Sequence, residues 1–425
     1  MKLNSARDVP SPDIVLVHCP NRPLRTPTMY FSLGILYLAA CLERDGFKVA
    51  ICDLRDKEVD INLIPEANCI GVSFTTGESA DAKKIAMLAK KRDPYCVTAA
   101  GGAHPSLMPE DVEDYFDAVV MGEGENAISG IADGNFAGLA RQPRIEDLDS
   151  IPFPAWHLVP PDRLFSEALW FGEKYGQGPR ATTVMASRGC PMNCHFCGQY
   201  MRLPVVFRSP ENVAEEIRRL RDEYSVFHFR FEDDNMTLKK EWLYELCRLL
   251  KPLGCHFKGH SRSDLIDKES VAALKSCGFE ELGLGVESAD DRVLALANKK
   301  ETREDHIKAV KIINNAGLRC RLYFVCSLPG QTWETIEINK RFMREIGRGA
   351  DDQIKWTCSI FSPYPGCEFY KNSAKYGIRI LDKEFDHYWN FPDCNLIALD
   401  GIPKKELDSQ YKHFYNWLRS DSWRK

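Results

Sequence analysis

The chain has 425 residues, 44% of them hydrophobic and 28% charged, which is enough for two domains with ample apolar cores. Its formal net charge of −5 argues against wholesale binding to nucleic acid or to an anionic membrane. No apolar run approaches the roughly 20 residues of a spanning helix, and the opening MKLNSARDVPSPD lacks the apolar core of a signal peptide, so a cytoplasmic protein with no membrane span is expected. The 16 cysteines then read as reduced thiols rather than a disulfide framework, which suits an anaerobic cell.

In chain order, residues 1–140 alternate strand and helix. Strands are predicted at Asp13–His18, Lys48–Asp53, Cys69–Phe74, Cys96–Gly102 and Ala118–Glu125, with helices at Ser32–Gly46 and Glu78–Arg92. Continuous apolar strands alternating with helices predict a doubly wound parallel sheet, whose ligands bind at the C-terminal strand ends. Residues 141–180 contain IPFPAWHLVPPDRLF, a proline-rich connector able to pack through Phe153, Trp156 and Phe165. Alternation resumes with strands at Ala181–Ser187, Phe227–Glu232, His256–Ser261, Leu282–Val286, Cys320–Cys326 and Gln353–Phe361. Helices fit between them at Asn212–Glu223, Lys239–Leu250, Lys268–Cys277, Asp291–Leu296, Arg303–Ala316 and Trp333–Ile346. Six such units are fewer than a closed barrel needs and predict a partial (β/α)6 barrel over residues 181–364. Residues 365–425, with Tyr388, Trp389, Phe391 and Trp417, lack strand alternation and are expected to form a small helical cap that shapes the substrate site. Tyr323, Cys326, Trp356 and Tyr364 are expected to face the barrel interior.

The stretch ASRGCPMNCHFCGQY carries Cys190, Cys194 and Cys197 in a C-x3-C-x2-C spacing at the end of the first barrel strand. Three thiolates can hold three irons of a [4Fe–4S] cube and leave the fourth open to a small molecule. With Phe196 as the aromatic of C-x3-C-x-aromatic-C, the stretch resembles the signature of radical S-adenosylmethionine (SAM) enzymes. The resemblance implies that SAM fills the open iron and that one electron cleaves it to a 5′-deoxyadenosyl radical. FEDDNMT is similar to the family's acidic segment near the methionine end of SAM, implying contacts from Glu232, Asp233 or Asp234. GHSRSDLI places Ser261 and Arg262 at the third strand end, where the arginine would meet the cofactor carboxylate. LGVESADDRVLALANKK resembles the G-x-E-S element, whose glutamate, here Glu287, would reach the ribose hydroxyls. VCSLPGQTWE resembles the segment that packs against adenine, and FSPYPGCEFY the turn after the sixth strand.

The first 140 residues resemble the Rossmann-like cobalamin-binding domain of the class B radical SAM enzymes, through SLGILYLAACLERDGFKVAICD, IGVSFTT, AGGAHPSLMPE and VVMGEGE. By that resemblance Ser73, Phe74, Thr75, Thr76, Gly101, Gly102, His104, Gly122, Glu123 and Gly124 line cobalamin and its nucleotide tail, with Phe74–Thr76 toward the lower face of cobalt. The D-x-H-x-x-G motif of many cobalamin proteins is missing, and His18 and His104 read as structural or tail-contacting rather than as cobalt ligands. The resemblance as a whole implies a cobalamin-dependent radical methyltransferase acting on an unactivated carbon of a small metabolite or a peptide side chain. It would be served by an external flavodoxin- or ferredoxin-type electron donor. Ring contraction or oxidative cyclisation is the alternative within the class, and a non-enzymatic iron–sulfur or zinc protein the alternative outside it.

Overall fold

A computed structural model describes residues 12–21, 27–29, 31–167, 180–198, 200–348, 350–388 and 395–424. The chain divides into two compact units. One runs to Thr183 and includes Val206–Arg208 and Leu220–Val226; the other comprises Val184–Val205, Ser209–Arg219 and Phe227 onward.

The first unit is built on six parallel strands: β1 (Ile14–His18), β2 (Val49–Asp53), β3 (Cys69–Ser73), β4 (Val97–Gly101), β5 (Ala118–Met121) and β6 (Gly138–Arg141). Their order is β2-β1-β3-β4-β5-β6. All five residues of β1 are buried, which is why it is a continuous apolar run: helices cover both faces of such a sheet. The helix Leu33–Arg44 starts where the Ser32 hydroxyl accepts the Ile35 N–H, and Gly46 at φ 93° turns the chain into β2. The chain leaves β1 to one side for β2 and returns on the other for β3, so the crevice beyond β1 and β3 is the topological switch point where such sheets take ligands. β6 is a strand the sequence pattern did not predict. Only Ala140 of its four residues is buried, so this edge strand has no apolar run to betray it.

Up to Leu164 the connector is a series of single turns, followed by the two-residue strand Ser166–Glu167, and it belongs to the first unit. Trp156 and Phe165 are buried and stack with centroids 6.3 Å apart, and Arg163 pairs with Asp53 and Asp56.

The other sheet has seven strands, a two-residue antiparallel edge strand at Ser166–Glu167 and then the six of a partial barrel: β7 (Arg180–Val184), β8 (Val226–Phe231), β9 (His256–Ser261), β10 (Phe279–Glu287), β11 (Arg319–Cys326) and β12 (Ile354–Ile360), neighbours in that order. From β8 to β12 every pairing is parallel. β11 shows the period of two: Cys320, Leu322, Phe324 and Cys326 are buried, while Arg319, Arg321, Tyr323 and Val325 are partly exposed. Phe324 meets Phe342 and Phe414 edge-on, so the buried row faces the helices. This corrects two of the expected interior residues. Cys326 lies in the buried row, its sulfur 3.5 Å from that of Cys358, and the Trp356 ring packs on Tyr415 of the C-terminal helix.

The segment beyond the barrel also departs from expectation. It holds an antiparallel pair, β13 (Ile378–Ile380) and β14 (Ile397–Leu399), before the helix Lys404–Arg419. Tyr388 is fully buried; Trp389 and Phe391 lie outside the described residues.

Candidate functional site

The cysteine loop follows β7. Gly189, at φ 101°, is enclosed by the carbonyls of Met201, Arg202 and Pro204, and a Cβ there would stand 2.9 Å from the nearest. Arg202 donates to the carbonyls of Met192 and Cys197. The His195 N–H donates to the Ala297 carbonyl at 2.9 Å, and the Asn298 side chain donates to the Asn193 carbonyl at 2.7 Å. The Phe196 ring packs in a small apolar cluster with Val293, Leu328, Phe361 and Phe369. The aromatic of the motif therefore anchors the loop.

No cysteine among the described residues is in a disulfide. Cys194 is buried and Cys190 and Cys197 are half-buried. Burial raises the Cys194 thiol, while Lys299 and Arg262 pull it back down and Glu287 and Cys190 oppose them. Cys190 is raised by burial too, with Arg262 and Arg202 lowering it. Two thiols on one short loop that feel each other and two cations suit a thiolate-held cluster. Among the described residues no three His, Cys, Asp or Glu side chains converge on one point as a single ion would require. A cube asks something different, one thiolate for each of three irons, and this donor set fits that demand.

Around the loop the strand ends bring together most of the expected side chains, and they assign them different tasks. Glu287, at φ 59° and buried, reaches Lys299 Nζ at 3.1 Å. Gly285 makes this possible, since a Cβ there would stand 2.5 Å from Glu287 Oε1 and 2.9 Å from Lys299 Nζ. Lys299 also meets Glu301 at 3.2 Å, and Glu301 meets Arg262 at 3.2 Å. Arg262 further donates to both oxygens of Asp264 and to the Lys299 carbonyl, each at 2.9 Å. Arg262 is thus fully engaged within the protein and serves as a buried charge behind the cluster loop. Asp233 is likewise internal: it accepts from the Ala186 N–H and the Ser187 hydroxyl, tying the end of β8 to the end of β7. Glu232 and Asp234 remain accessible. Glu232 is about a third exposed yet crowded enough that burial raises its carboxyl, the mark of a recess in the surface. Ser261 is buried and shares its hydroxyl with Thr237 and with Asn235 Oδ1. Asn235 Nδ2 is buried with no acceptor.

Lys299, Glu301 and Asn235 were not singled out from the sequence. Asn235 and Lys299 lie within FEDDNMT and LGVESADDRVLALANKK and Glu301 just beyond; they matter because the loop after the helix Asp291–Leu296 folds back beside the cysteines and because Asn235 follows β8.

In the first unit the strand ends divide in the same way. Ser73, Thr75, Gly101, Gly102 and Gly122 lie at the ends of β3, β4 and β5. Gly102, at φ 100°, has Phe74 N and O within 2.9 Å of where its Cβ would stand, so only glycine fits; a Cβ on Gly101 would meet nothing within 4 Å. Backbone at this edge is open to a bulky ligand, and with the switch point beside it the edge fits a nucleotide-tailed corrinoid. The other five expected contacts are engaged within the unit. The Phe74 ring is buried, stacked on Phe116. His104 is fully buried, with Nε2 2.9 Å from Asp111 and Nδ1 3.3 Å from the Thr76 hydroxyl. Thr76 is buried with it. Glu123 accepts the Ile145 N–H at 2.6 Å and pairs with Arg144. Gly124 packs against Leu38. His18 is buried, and burial together with Arg55 lowers it to about 4.

Among the described residues no helix is long and apolar enough to cross a membrane. Comparison with known proteins matches residues 184–343 to the radical SAM superfamily and residues 26–132 to the B12 binding domain. An uncharacterized methyltransferase of Pyrococcus horikoshii is 28% identical over 80% of this chain and 77% of its own length. The cytidylyl-2-hydroxyethylphosphonate methyltransferase of Streptomyces wedmorensis is 28% identical over 92% and 87%. Among solved structures, the radical S-adenosylmethionine methyltransferase TsrM of Kitasatospora setae, with cobalamin and a [4Fe–4S] cluster bound, shares the fold. Its TM-score is 0.64 at 15% identity, over 94% of this chain and 81% of that one.

Proposed function

The chain belongs to the cobalamin-binding branch of the radical SAM enzymes, and from that premise we propose that it is a methyltransferase acting on an unactivated carbon. The observation that carries the reading is the presence, on one chain, of an anchored three-thiol loop at the strand ends of a partial barrel and an open, glycine-lined edge on a parallel sheet. The cofactors are a [4Fe–4S] cluster, SAM and cobalamin; when bound, the first two supply one-electron cleavage and hydrogen abstraction, and the third supplies the methyl group.

The chain's own residues do the rest. Cys190, Cys194 and Cys197 hold the cluster, and Lys299 and Arg262 offset the charge of the thiolates. Glu232 and Asp234 offer carboxylates to the ammonium group of SAM. Asn235 Nδ2 supplies a donor for its carboxylate, a role the geometry favours over Arg262 because Arg262 is already committed to Asp264 and Glu301. Glu287, held by Lys299, is the candidate acceptor for the ribose hydroxyls. The backbone of Gly101, Gly102 and Gly122, with Ser73 and Thr75, meets the corrinoid. An external one-electron donor of the flavodoxin or ferredoxin class serves the cluster, and the substrate is a small molecule or a peptide side chain.

The test is anaerobic reconstitution with methyl-labelled SAM, hydroxocobalamin and a strong reductant. Label should enter the corrinoid fraction, and 5′-deoxyadenosine should be released. Release of 5′-deoxyadenosine with no label in corrinoid or product would replace methyl transfer with a cyclising or ring-contracting reaction. Release of neither would end the enzymatic reading.

A further inference from the structure

The inner face of the partial barrel is charged where a closed barrel is packed with branched apolar side chains. The face toward the helices is ordinary core, with Phe229, Phe257, Leu282 and Leu322 fully buried. The inner positions of the same strands hold Arg230, Lys258, His260, Glu281, Gly283, Arg321 and Tyr323. The register sets Arg230 beside Lys258, Lys258 beside Glu281, His260 beside Gly283, and Gly283 beside Arg321.

Cations outnumber carboxylates on this face, even though Glu280 meets His256 at 3.0 Å and Arg319 at 3.7 Å. One carboxylate, Glu281, is shared by Arg321 at 2.7 Å, Lys258 at 3.5 Å and Arg319 at 3.8 Å. Arg230 meets Glu232 at 3.2 Å at the strand end. Arg230 and Arg321 stand on strands separated by two others, yet each guanidinium feels the other's charge, and both are about a quarter exposed. Between them the rings of His260 and Tyr323 close over Gly283, where a Cβ would stand 2.7 Å from either ring, and His260 Nε2 lies 3.1 Å from the Tyr323 hydroxyl. Burial, then Arg230 and Arg321, hold that imidazole down to about 3, so it adds no compensating charge. Burial lowers Lys258 to about 8 despite Glu281, with Arg321 and Arg319 adding to the effect. Two accessible cations facing each other across a concave polar wall, with a neutral ring pair between them, are arranged to take an anion.

We propose that this recess binds an anionic group of the methyl-accepting substrate, a carboxylate or a phosphate, through Arg230 and Arg321. The proposal rests on the methyltransferase reading for the word substrate, though not for the anion site itself.

The test is equilibrium dialysis of the reconstituted holoenzyme against radiolabelled inorganic phosphate and, separately, benzoate, at fixed ionic strength. SAM and hydroxocobalamin are kept saturating so that their own anion sites are filled. Saturable binding of one equivalent is expected for at least one probe, and which probe binds assigns the class. Affinity should fall at least tenfold in Arg230→Gln and in Arg321→Gln, and should hold in Arg219→Gln, a change on the outer surface of the helix Pro210–Tyr224. Arg230→Gln carries the test if the loss of an Arg321 contact to Glu281 prevents folding. Absence of saturable binding, or binding indifferent to both changes, overturns the proposal. Binding that persists in an enzyme unable to move label from SAM would overturn the methyltransferase reading and leave an anion site of another kind.

Discussion

Lys299 shows how one side chain ties the chemistry to the fold. It is buried, its charge reinforced by Glu287 and Glu301 against the effect of burial. Removing one partner of a buried pair leaves the other uncompensated, at about 3 kcal/mol or more. Lys299→Met should therefore lower the urea midpoint by an amount worth about 3 kcal/mol, and Lys299→Arg by less; unchanged midpoints would mean that Glu287 and Glu301 find other cations. Asp53 makes a parallel case in the first unit. Burial pushes its carboxyl up, but the hydrogen bonds and charges of Arg55 and Arg163 outweigh it and bring it down to about 2. A folded value below the unfolded one means stability that is present above the unfolded value, near 4, and is lost as pH falls through 2. The depression is worth about 2.5 kcal/mol. The stability gap between the wild type and Asp53→Asn should shrink by roughly that amount between pH 5 and pH 2. A gap independent of pH over that range would show that Asp53 contributes nothing through its charge.

At the scale of elements, what the sequence discloses depends on burial. β1, β3 and β5 are apolar on both faces, and β11 alternates without a break, so all four stand out as runs or as period-two patterns. β6 is exposed at three of four positions, and β13 and β14 are three residues each; none is long or apolar enough to be seen. The cysteine spacing is equally legible, because it is local. The partners of the cysteines are not, since Lys299 and Glu301 come more than a hundred residues later and are placed by a loop whose course depends on packing. Side-chain direction was hardest of all. Ser261, Arg262 and Glu287 do lie at strand ends, but nothing in their order tells that Arg262 turns to Asp264 and Glu301. Tyr323 and Cys326, three residues apart on β11, likewise lie on opposite faces, the inner and the outer. Gly278, like Gly102, carries a long-range constraint in a single letter. It sits at φ 109° between a helix and β10, and a Cβ would stand 2.2 Å from the Cys255 carbonyl.

Each unit has its own core, and the cofactors assigned to it touch different strand ends, so ligand protection should be local. Hydroxocobalamin held at the first unit would stabilise that unit against opening by about 2.7 kcal/mol at a hundredfold excess over the dissociation constant. Amide exchange should slow accordingly in peptides spanning the ends of β3, β4 and β5, near Ser73–Thr76, Gly101–His104 and Gly122–Gly124. SAM added to the cluster-loaded chain should slow exchange at Ala186–Gly198, Glu232–Thr237 and Gly285–Glu301. The helix Ser79–Arg92 provides an internal standard. Its C-terminal half, Ile85–Arg92, packs on the core of the first unit through Ile85, Ala86 and Ala89 and leads away from the end of β3. It should slow only to the extent that the unit opens globally, whereas a peptide in direct contact with ligand slows beyond that limit. Cobalamin protection confined to the peptides of the second unit would show that the glycine-lined edge is not the corrinoid site. The inward-facing roles found for Phe74, His104 and Glu123 would then describe a sheet that has kept its architecture without the ligand.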